Sequence, residues 1–219
     1  MDHPKRSDAW DWDAYWAANP PPRDQVLAGR RMARRISRFA KSKGLAVRRL
    51  ADIGCGPAIT LSALAPRMPA CKFVGFDSSR GVLRLDRAKT RKEGLHNIRF
   101  RRAELPELPT ESGYDIVICI ATLHYVKDVR RALRRLHRMV RPGGFLIFNY
   151  PNRVQQGATR REACKDPIVG KRFALVLSGA NLLTRARIAE VLRERPRSFW
   201  REVDEPPRWL NPCVVVPKR

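Results

Sequence analysis

The sequence predicts an α/β fold: a doubly wound sheet of seven strands, mostly parallel, with helices on both faces. Apolar runs alternate with helical stretches between residues 49 and 150, which is the pattern of an open parallel sheet. Two more apolar runs lie near the end of the chain, at 198–203 and 212–216, and the unbroken valines of the second suit a strand buried on both faces. With 219 residues, of which 43% are apolar, the chain is long enough to bury one full core.

The first predicted strand starts at Arg49 and runs into an acid, Asp52, and a short glycine turn. Gly54 and Gly56 let the backbone turn tightly and come into contact with a ligand that a Cβ would keep away. The second strand ends at Asp77, where a βαβ unit places a carboxylate on the two hydroxyls of a bound ribose. These two strands therefore predict a site for a nucleoside-bearing cofactor.

The details of the glycine turn argue against a dinucleotide. A dinucleotide fingerprint needs a small residue at its sixth position and amides that face a pyrophosphate, whereas Ile59 stands there and Pro57 has no N–H to donate. Asp52 would also repel a pyrophosphate, but it suits a cofactor whose nearby end carries an ammonium and a sulfonium. A cationic cofactor is therefore the preferred interpretation, and an NAD-type oxidoreductase is its rival.

The central region continues the alternation in order. We predict a helix over 80–93, a third strand over 97–102, a fourth over 114–121, a basic helix after Val126 and a fifth strand over 140–148. Along this stretch stand the motifs Asp-x-Gly-x-Gly, Tyr-Asp-x-Val, Leu-His-Tyr-Val and Pro-Gly-Gly. Together they resemble class I, Rossmann-like S-adenosylmethionine-dependent methyltransferases of the broad type-11, ubiquinone-biosynthesis-like group. The resemblance covers roughly half of the chain, with Ala58 in place of the last glycine of the first motif, and it implies six parallel strands and one antiparallel strand.

The resemblance also implies which residues hold S-adenosylmethionine at the first two strands. Asp52 would orient the methionine end of the cofactor; an aspartate here would also cap the following helix well, and both roles stay open. The turn Gly54-Cys55-Gly56 would wrap the methionine and the ribose with backbone atoms. Asp77 would hold the ribose hydroxyls, and Ser78 would cap the next helix beside the cofactor.

The ends of the third and fourth strands complete the implied site. In the family, an acid after strand three accepts from the adenine amino group, but Arg102 stands at that position here. Glu104 is the candidate replacement, and Ala103 keeps its implied role as a backbone donor to the adenine ring. Ala121 and Thr122 would lie beneath the methyl group that is transferred.

His124 follows at the expected mouth of the substrate site. A histidine there can act as a general base because its pKa lies near neutrality; the alternative is a packing role at the corner between strand and helix. The five cysteines are odd in number and show no Cys-x-x-Cys spacing, so we expect neither a metal site nor a disulfide framework, and a reducing cytoplasm fits.

The chain divides into an N-terminal part, 1–47, and a methyltransferase domain, 48–219. The first part is predicted to be a helical appendage: an aromatic segment over 10–16, then a helix over 23–43. Trp16 would close over the cofactor as a lid, or the segment would simply fasten to the domain as an amphipathic helix. Residues 151–183 are predicted to roof the substrate, with four cations facing the opening: Arg160, Arg161, Lys171 and Arg172.

The charge balance bears on the acceptor. Lys and Arg number 45 against 21 acids, a net charge of +24 that favours anionic partners. Because the arginines are spread over three predicted helices, an RNA-binding role and a merely solvated basic surface both stay open. We expect a methyltransferase with a small, anionic acceptor, and RNA as the alternative; a non-catalytic cofactor-binding module is a third possibility. No apolar run is long enough to span a membrane, and the oligomeric state stays open.

Overall fold

The computed structural model describes residues 10–205 and 212–219, and a seven-stranded sheet crosses the described part of the chain. The strands are β1 (Arg49–Ile53), β2 (Lys72–Asp77), β3 (Ile98–Arg102), β4 (Tyr114–Cys119), β5 (Val140–Asn149), β6 (Arg197–Ser198) and β7 (Cys213–Pro217). Their spatial order is β3-β2-β1-β4-β5-β7-β6. Only β7 runs antiparallel to its neighbours β5 and β6, so the predicted sheet of six strands in one direction and one reversed is confirmed.

Helices cover both faces of the sheet. They are α1 (Trp12–Ala18), α2 (Arg23–Ser42), α3 (Ile59–Leu64), α4 (Arg80–Lys92), α5 (Val129–Met139), α6 (Arg153–Ala163), α7 (Pro167–Arg172), α8 (Ala174–Ser178), α9 (Arg185–Leu192) and α10 (Phe199–Glu202). Apolar residues of α2, α3, α4 and α10 form one core with one face of the sheet. Those of α5 and α9 form a second core on the opposite face, as right-handed crossovers between parallel strands require.

Within the N-terminal part, only the first helix, α1, is an appendage of the domain. Ala33, Ile36 and Phe39 of α2 are fully buried against the sheet, so α2 belongs to the same core as the strands. Helix α1 buries none of its residues completely. The position of α1 beside the ends of the strands is what brings it to the candidate site.

The predicted strand over 198–203 is wrong beyond its first residue. Phe199, Trp200 and Val203 are all buried in the same core, and that spacing places them on one side of a helical turn, whereas a strand would send successive side chains to opposite faces. The chain accordingly forms α10 over 199–202. The connection between β3 and β4 carries no helix, as its short length predicted. Within the described residues, the helices include none that is both long enough and apolar enough to cross a membrane.

Candidate functional site

The glycine turn after β1 fits tightly against the end of β4. Gly54 and Gly56 have φ values of +74° and +49°, in the left-handed region that favours glycine. A Cβ built on Gly54 would lie 2.1 Å from the Thr122 hydroxyl oxygen, so no larger residue fits there. The amides of Gly54 and Cys55 both donate to the Phe76 carbonyl, at 2.7 and 3.0 Å, which ties the turn to the end of β2.

Asp77 ends β2 directly beside this turn. Its two carboxylate oxygens accept hydrogen bonds from the Gly56 and Ser79 amides, each at 2.9 Å, and the residue is 8% exposed. Burial raises the pKa of Asp77, while the amides of Ser79, Gly56 and Ser78 act to lower it. Each oxygen keeps a further lone pair. The carboxylate is thus held in place and can still accept from a pair of ligand hydroxyls.

Asp52 lies in the centre of the sheet, between Gly75 of β2 and Ile118 of β4. It is 5% exposed, and no side chain or amide among the described residues donates a hydrogen bond to its carboxylate. Burial, and then the charge of Asp77, raise the pKa of Asp52 to about 8. Its alternative role as a helix cap is not found, because α3 begins only at Ile59, beyond the whole turn.

These features suit a cofactor with a ribose and a cationic end. A buried acid without a partner is unfavourable unless it is protonated or meets a cation, and a ligand ammonium or sulfonium would supply that charge. Because Gly54 and Gly56 have no side chains, the glycine turn gives such a ligand access to its backbone atoms. Burial and the nearby Asp77 charge raise the thiol pKa of Cys55 well above its usual value, which favours a packing role for Cys55 over a nucleophilic one.

The adenine end differs from the expectation in two ways. Ser79, and not Ser78, caps α4, because its side chain accepts from the Val82 amide at 3.0 Å and the helix begins at the next residue. The Ala103 amide is already used: it donates to the Asp77 carbonyl at 3.0 Å and extends the pairing of β2 with β3 by one bond. The Arg102 guanidinium donates to the Ser78 carbonyl. Glu104 is exposed beside this edge, and its role stays a prediction.

The end of β4 is held from two sides. Ala121 has φ +59°, a left-handed conformation that costs a non-glycine residue about 1–2 kcal/mol. Its amide donates to the Asn149 side-chain oxygen at 2.6 Å, and Asn149 is 2% exposed. The Thr122 hydroxyl donates toward the Ile53 and Ile120 carbonyls, each at 3.2 Å. Asn149 stands out in the sequence as a polar residue at the end of a buried apolar strand. The sequence does not indicate that its partner is the Ala121 amide.

His124 is buried by the predicted roof. It is 3% exposed, its Nε2 lies 2.9 Å from the Gln155 side-chain oxygen, and its Nδ1 has no partner among the described residues. Burial lowers the pKa of His124 to about 4 against the opposing effect of Gln155. Asn181 donates to the His124 carbonyl at 2.8 Å. This geometry favours the packing role, since a general base would need access to the acceptor.

Helix α1 covers the cofactor side of the site. A Cβ built on Gly56 would lie 3.3 Å from the Trp16 ring, so the indole rests on the glycine turn. One Asp13 carboxylate oxygen accepts from the Ser79 hydroxyl at 2.6 Å and from the Gly81 amide at 2.8 Å. These contacts fasten α1 over the glycine turn and beside Asp77; that α1 acts as a lid stays a prediction.

The segment predicted to roof the substrate, α6 to α8, contacts α1. Phe173 packs on Tyr125 of the β4 end, with ring centroids 5.3 Å apart. The Arg172 guanidinium lies 4.9 Å from the Phe173 ring centre and 5.6 Å from that of Tyr15 in α1, and it donates to the Tyr15 hydroxyl at 3.1 Å. Of the four cations predicted to face the opening, Arg172 packs on the Tyr15 and Phe173 rings, whereas Arg160, Arg161 and Lys171 are solvent-exposed and contact neither ring. The described residues contain no group of acids, cysteines and histidines that could hold a metal ion.

Comparison with known proteins agrees with this geometry. Residues 51–148 match a protein family described as a methyltransferase domain. The chain is 30% identical over 115 residues to ubiquinone biosynthesis O-methyltransferase of Acinetobacter baumannii, covering 52% of this chain and 48% of that protein. It is 31% identical over 147 residues to trans-aconitate 2-methyltransferase of Deinococcus radiodurans, covering 64% and 55%. The chain thus spans about half the length of the curated relatives it matches.

A solved structure shares the fold over nearly the whole chain. Magnesium protoporphyrin IX methyltransferase from Synechocystis PCC 6803, crystallised with bound S-adenosylhomocysteine, superposes with a TM-score of 0.65. The alignment covers 95% of this chain and 93% of that protein at 16% identity. At this identity the likeness shows the fold alone.

Proposed function

We propose that the chain, whose residues 51–148 match a methyltransferase-domain family, transfers a methyl group from S-adenosylmethionine to a small, anionic acceptor. The observation that carries the proposal is Asp52: a buried carboxylate without a donor, beside a glycine turn that exposes its backbone. The ammonium or the sulfonium of the cofactor would neutralise it. Asp77, held by two amides, would accept from the ribose hydroxyls.

The chain's own contribution to the reaction is alignment and the exclusion of water. S-adenosylmethionine, when bound, would supply a methyl group that a nucleophile of the acceptor attacks in line, while the bond from the methyl carbon to the sulfonium breaks and leaves a neutral thioether. Ala121 is fixed by Asn149 and Thr122 by the Ile53 carbonyl of β1, and the two residues would set the position of the reacting centre. Trp16 would exclude water from the cofactor, and such alignment in a dry site accounts for much of the rate in reactions of this kind.

The roof supports a small acceptor. The lid and the roof meet through Arg172, Tyr15 and Phe173, so the approach to the β4 end is lined by aromatic rings and one cation. A planar or apolar acceptor with an anionic group would match this lining. The five free cysteines support a cytoplasmic location.

A labelling experiment tests the proposal. The purified protein is incubated with methyl-labelled S-adenosylmethionine and total cell extract, which is then separated into RNA, protein and small molecules. We expect label in the small-molecule fraction, and none with Asp77→Ala. Label in RNA would support the alternative that the +24 charge suggested. Cofactor binding without any transfer would support a non-catalytic module.

A further inference from the structure

Helix α5 presents a surface of arginines that the methyl-transfer site does not use. Its inner side is buried by Ala132, Leu133 and Leu136 in the second core. Its outer side carries four exposed arginines, Arg130, Arg131, Arg134 and Arg138. No acidic residue lies within the helix; Asp128 precedes it as the N-cap.

Three of these four cations have no counter-charge among the residues that the structure describes. Arg131 forms an ion pair with Glu107 at 3.2 Å. For Arg130, Arg134 and Arg138, the described part of the chain offers no side-chain hydrogen bond and no ion pair. Like charges at a spacing of four residues repel one another on a helix, so this arrangement opposes folding and would be relieved by an anionic partner.

Some arginines of the other basic helices are bonded within the fold. In α2, Arg35 pairs with Glu205 and Arg38 donates to the Val203 carbonyl, which fastens α2 to the residues that follow α10. In α4, Arg87 donates to the Phe100 carbonyl of β3. These bonded arginines contribute to the fold, whereas Arg130, Arg134 and Arg138 of α5 contribute only charge.

We propose that the outer side of α5 is a docking surface for the phosphate backbone of RNA. Arg130, Arg134 and Arg138 share one side of the helix over about 12 Å, which is too long for one small anion and suits a partner with repeated charges. All the exposed cations within α5 are arginines, whose forked guanidinium pairs with phosphate through two hydrogen bonds. The proposal goes beyond the proposed function, since the docked RNA need not be the methyl acceptor.

A membrane surface fits α5 less well. Docking of a helix on a bilayer relies on apolar side chains that enter the lipid as well as on cations. Among the described residues, the large exposed apolar side chains are Leu27, Leu85, Val154 and Ile168, and none of them lies on α5.

The test compares two triple variants that remove the same charge from opposite faces of the sheet. The first carries Arg130→Gln, Arg134→Gln and Arg138→Gln in α5. The second carries Arg84→Gln, Arg91→Gln and Lys92→Gln, three exposed positions in α4. Binding of a labelled single-stranded poly(U) oligonucleotide is measured by fluorescence anisotropy over a salt series, with the melting temperature of each variant as a check of folding.

We expect the α5 variant to lose about tenfold or more in affinity, and the slope of log affinity against log salt to fall by about 2, since each phosphate contact on a single strand contributes about 0.7. The α4 variant should bind nearly as the wild type does. Arg→Lys at the three α5 positions should keep the salt slope and lose part of the affinity. The proposal is overturned if the wild type does not bind poly(U), if both triple variants lose affinity equally, or if only phosphatidylserine vesicles bind and depend on α5.

Discussion

At the scale of single residues, Asp52 has an unusual property in the ligand-free protein. Its pKa of about 8 in the folded state lies above the ordinary value of 3.8 that it regains on unfolding. Between these values the folded state binds more protons than the unfolded state, so Asp52 makes stability fall as the pH rises, by at most about 1.4 kcal/mol per pH unit. A bound cation would remove this loss.

We predict that Asp52→Asn abolishes much of the pH dependence of stability between pH 5 and 8. Because Asp86 has a similarly raised pKa of about 8 through burial, part of the dependence remains in the variant, and the difference between the two proteins isolates Asp52. Urea unfolding across this pH range measures it. Identical slopes for the two proteins would show that Asp52 stays charged without a partner, and its raised pKa would then be wrong.

Asn149 is the second residue with a specific expected effect. Asn149→Ala should leave the Ala121 amide without its acceptor and let the β4 end relax, which should reduce stability by about 1–3 kcal/mol and weaken S-adenosylhomocysteine binding about tenfold. Adding Ala121→Gly should restore affinity, because glycine adopts the φ of +59° without strain.

Asn97→Ala is the matched control, since its amide donates to the Cys71 carbonyl at 3.2 Å, away from the glycine turn. The control should lose stability and keep its affinity. Calorimetry with S-adenosylhomocysteine checks both outcomes, and a failure of Ala121→Gly to rescue binding would mean that the hydrogen bond only stabilises the fold.

At the scale of elements, α1 contacts both the glycine turn and the segment predicted to roof the substrate. Trp16 rests on the glycine turn, while Tyr15 of the same helix binds Arg172 of the roof. No regular pattern in the sequence predicted the second contact, because it joins residues 157 positions apart whose positions depend on the whole fold.

We predict that Trp16→Ala raises both the association and the dissociation rate of S-adenosylhomocysteine, the latter about tenfold, because the ligand must pass the indole to reach the turn. Surface plasmon resonance with immobilised protein measures the two rates. Trp16→Phe should lie between the wild type and the alanine variant, and Leu27→Ala, an exposed position in α2, should behave as the wild type. An unchanged dissociation rate in Trp16→Ala would show that α1 is no lid.

At the scale of the whole molecule, the sheet was predictable because its signals are local. The apolar runs and the turn residues specify β1 to β5, and the valine run specifies β7. The structure of residues 198–203 was not predictable in this way, because the apolar pattern of Phe199, Trp200 and Val203 fits a helical turn as well as a strand. Only packing against α2 decides between the helix and the strand.

The candidate site could be predicted from the sequence to a similar extent. Gly54, Gly56, Asp52 and Asp77 follow from the ends of two strands and meet as expected. The Ser79 cap is a local hydrogen bond from the Val82 amide, for which the neighbouring Ser78 was the other candidate in the sequence. The Ala103 amide donates to the Asp77 carbonyl of another strand, and residue spacing does not specify a bond between elements. The same holds for His124, whose burial depends on how the roof folds back over the β4 end.

The central claim is that this fold binds S-adenosylmethionine through Asp77, and one calorimetric measurement tests it most directly. Wild type and Asp77→Ala are titrated with S-adenosylhomocysteine and with NADH, and Glu190→Ala, an exposed acid in α9, serves as the control. We expect S-adenosylhomocysteine to bind the wild type and the control, and to bind Asp77→Ala about a hundredfold or more weakly, since two hydrogen bonds to a charged group are lost. NADH should not bind. Binding of NADH alone, or undiminished binding of S-adenosylhomocysteine to Asp77→Ala, would contradict the claim.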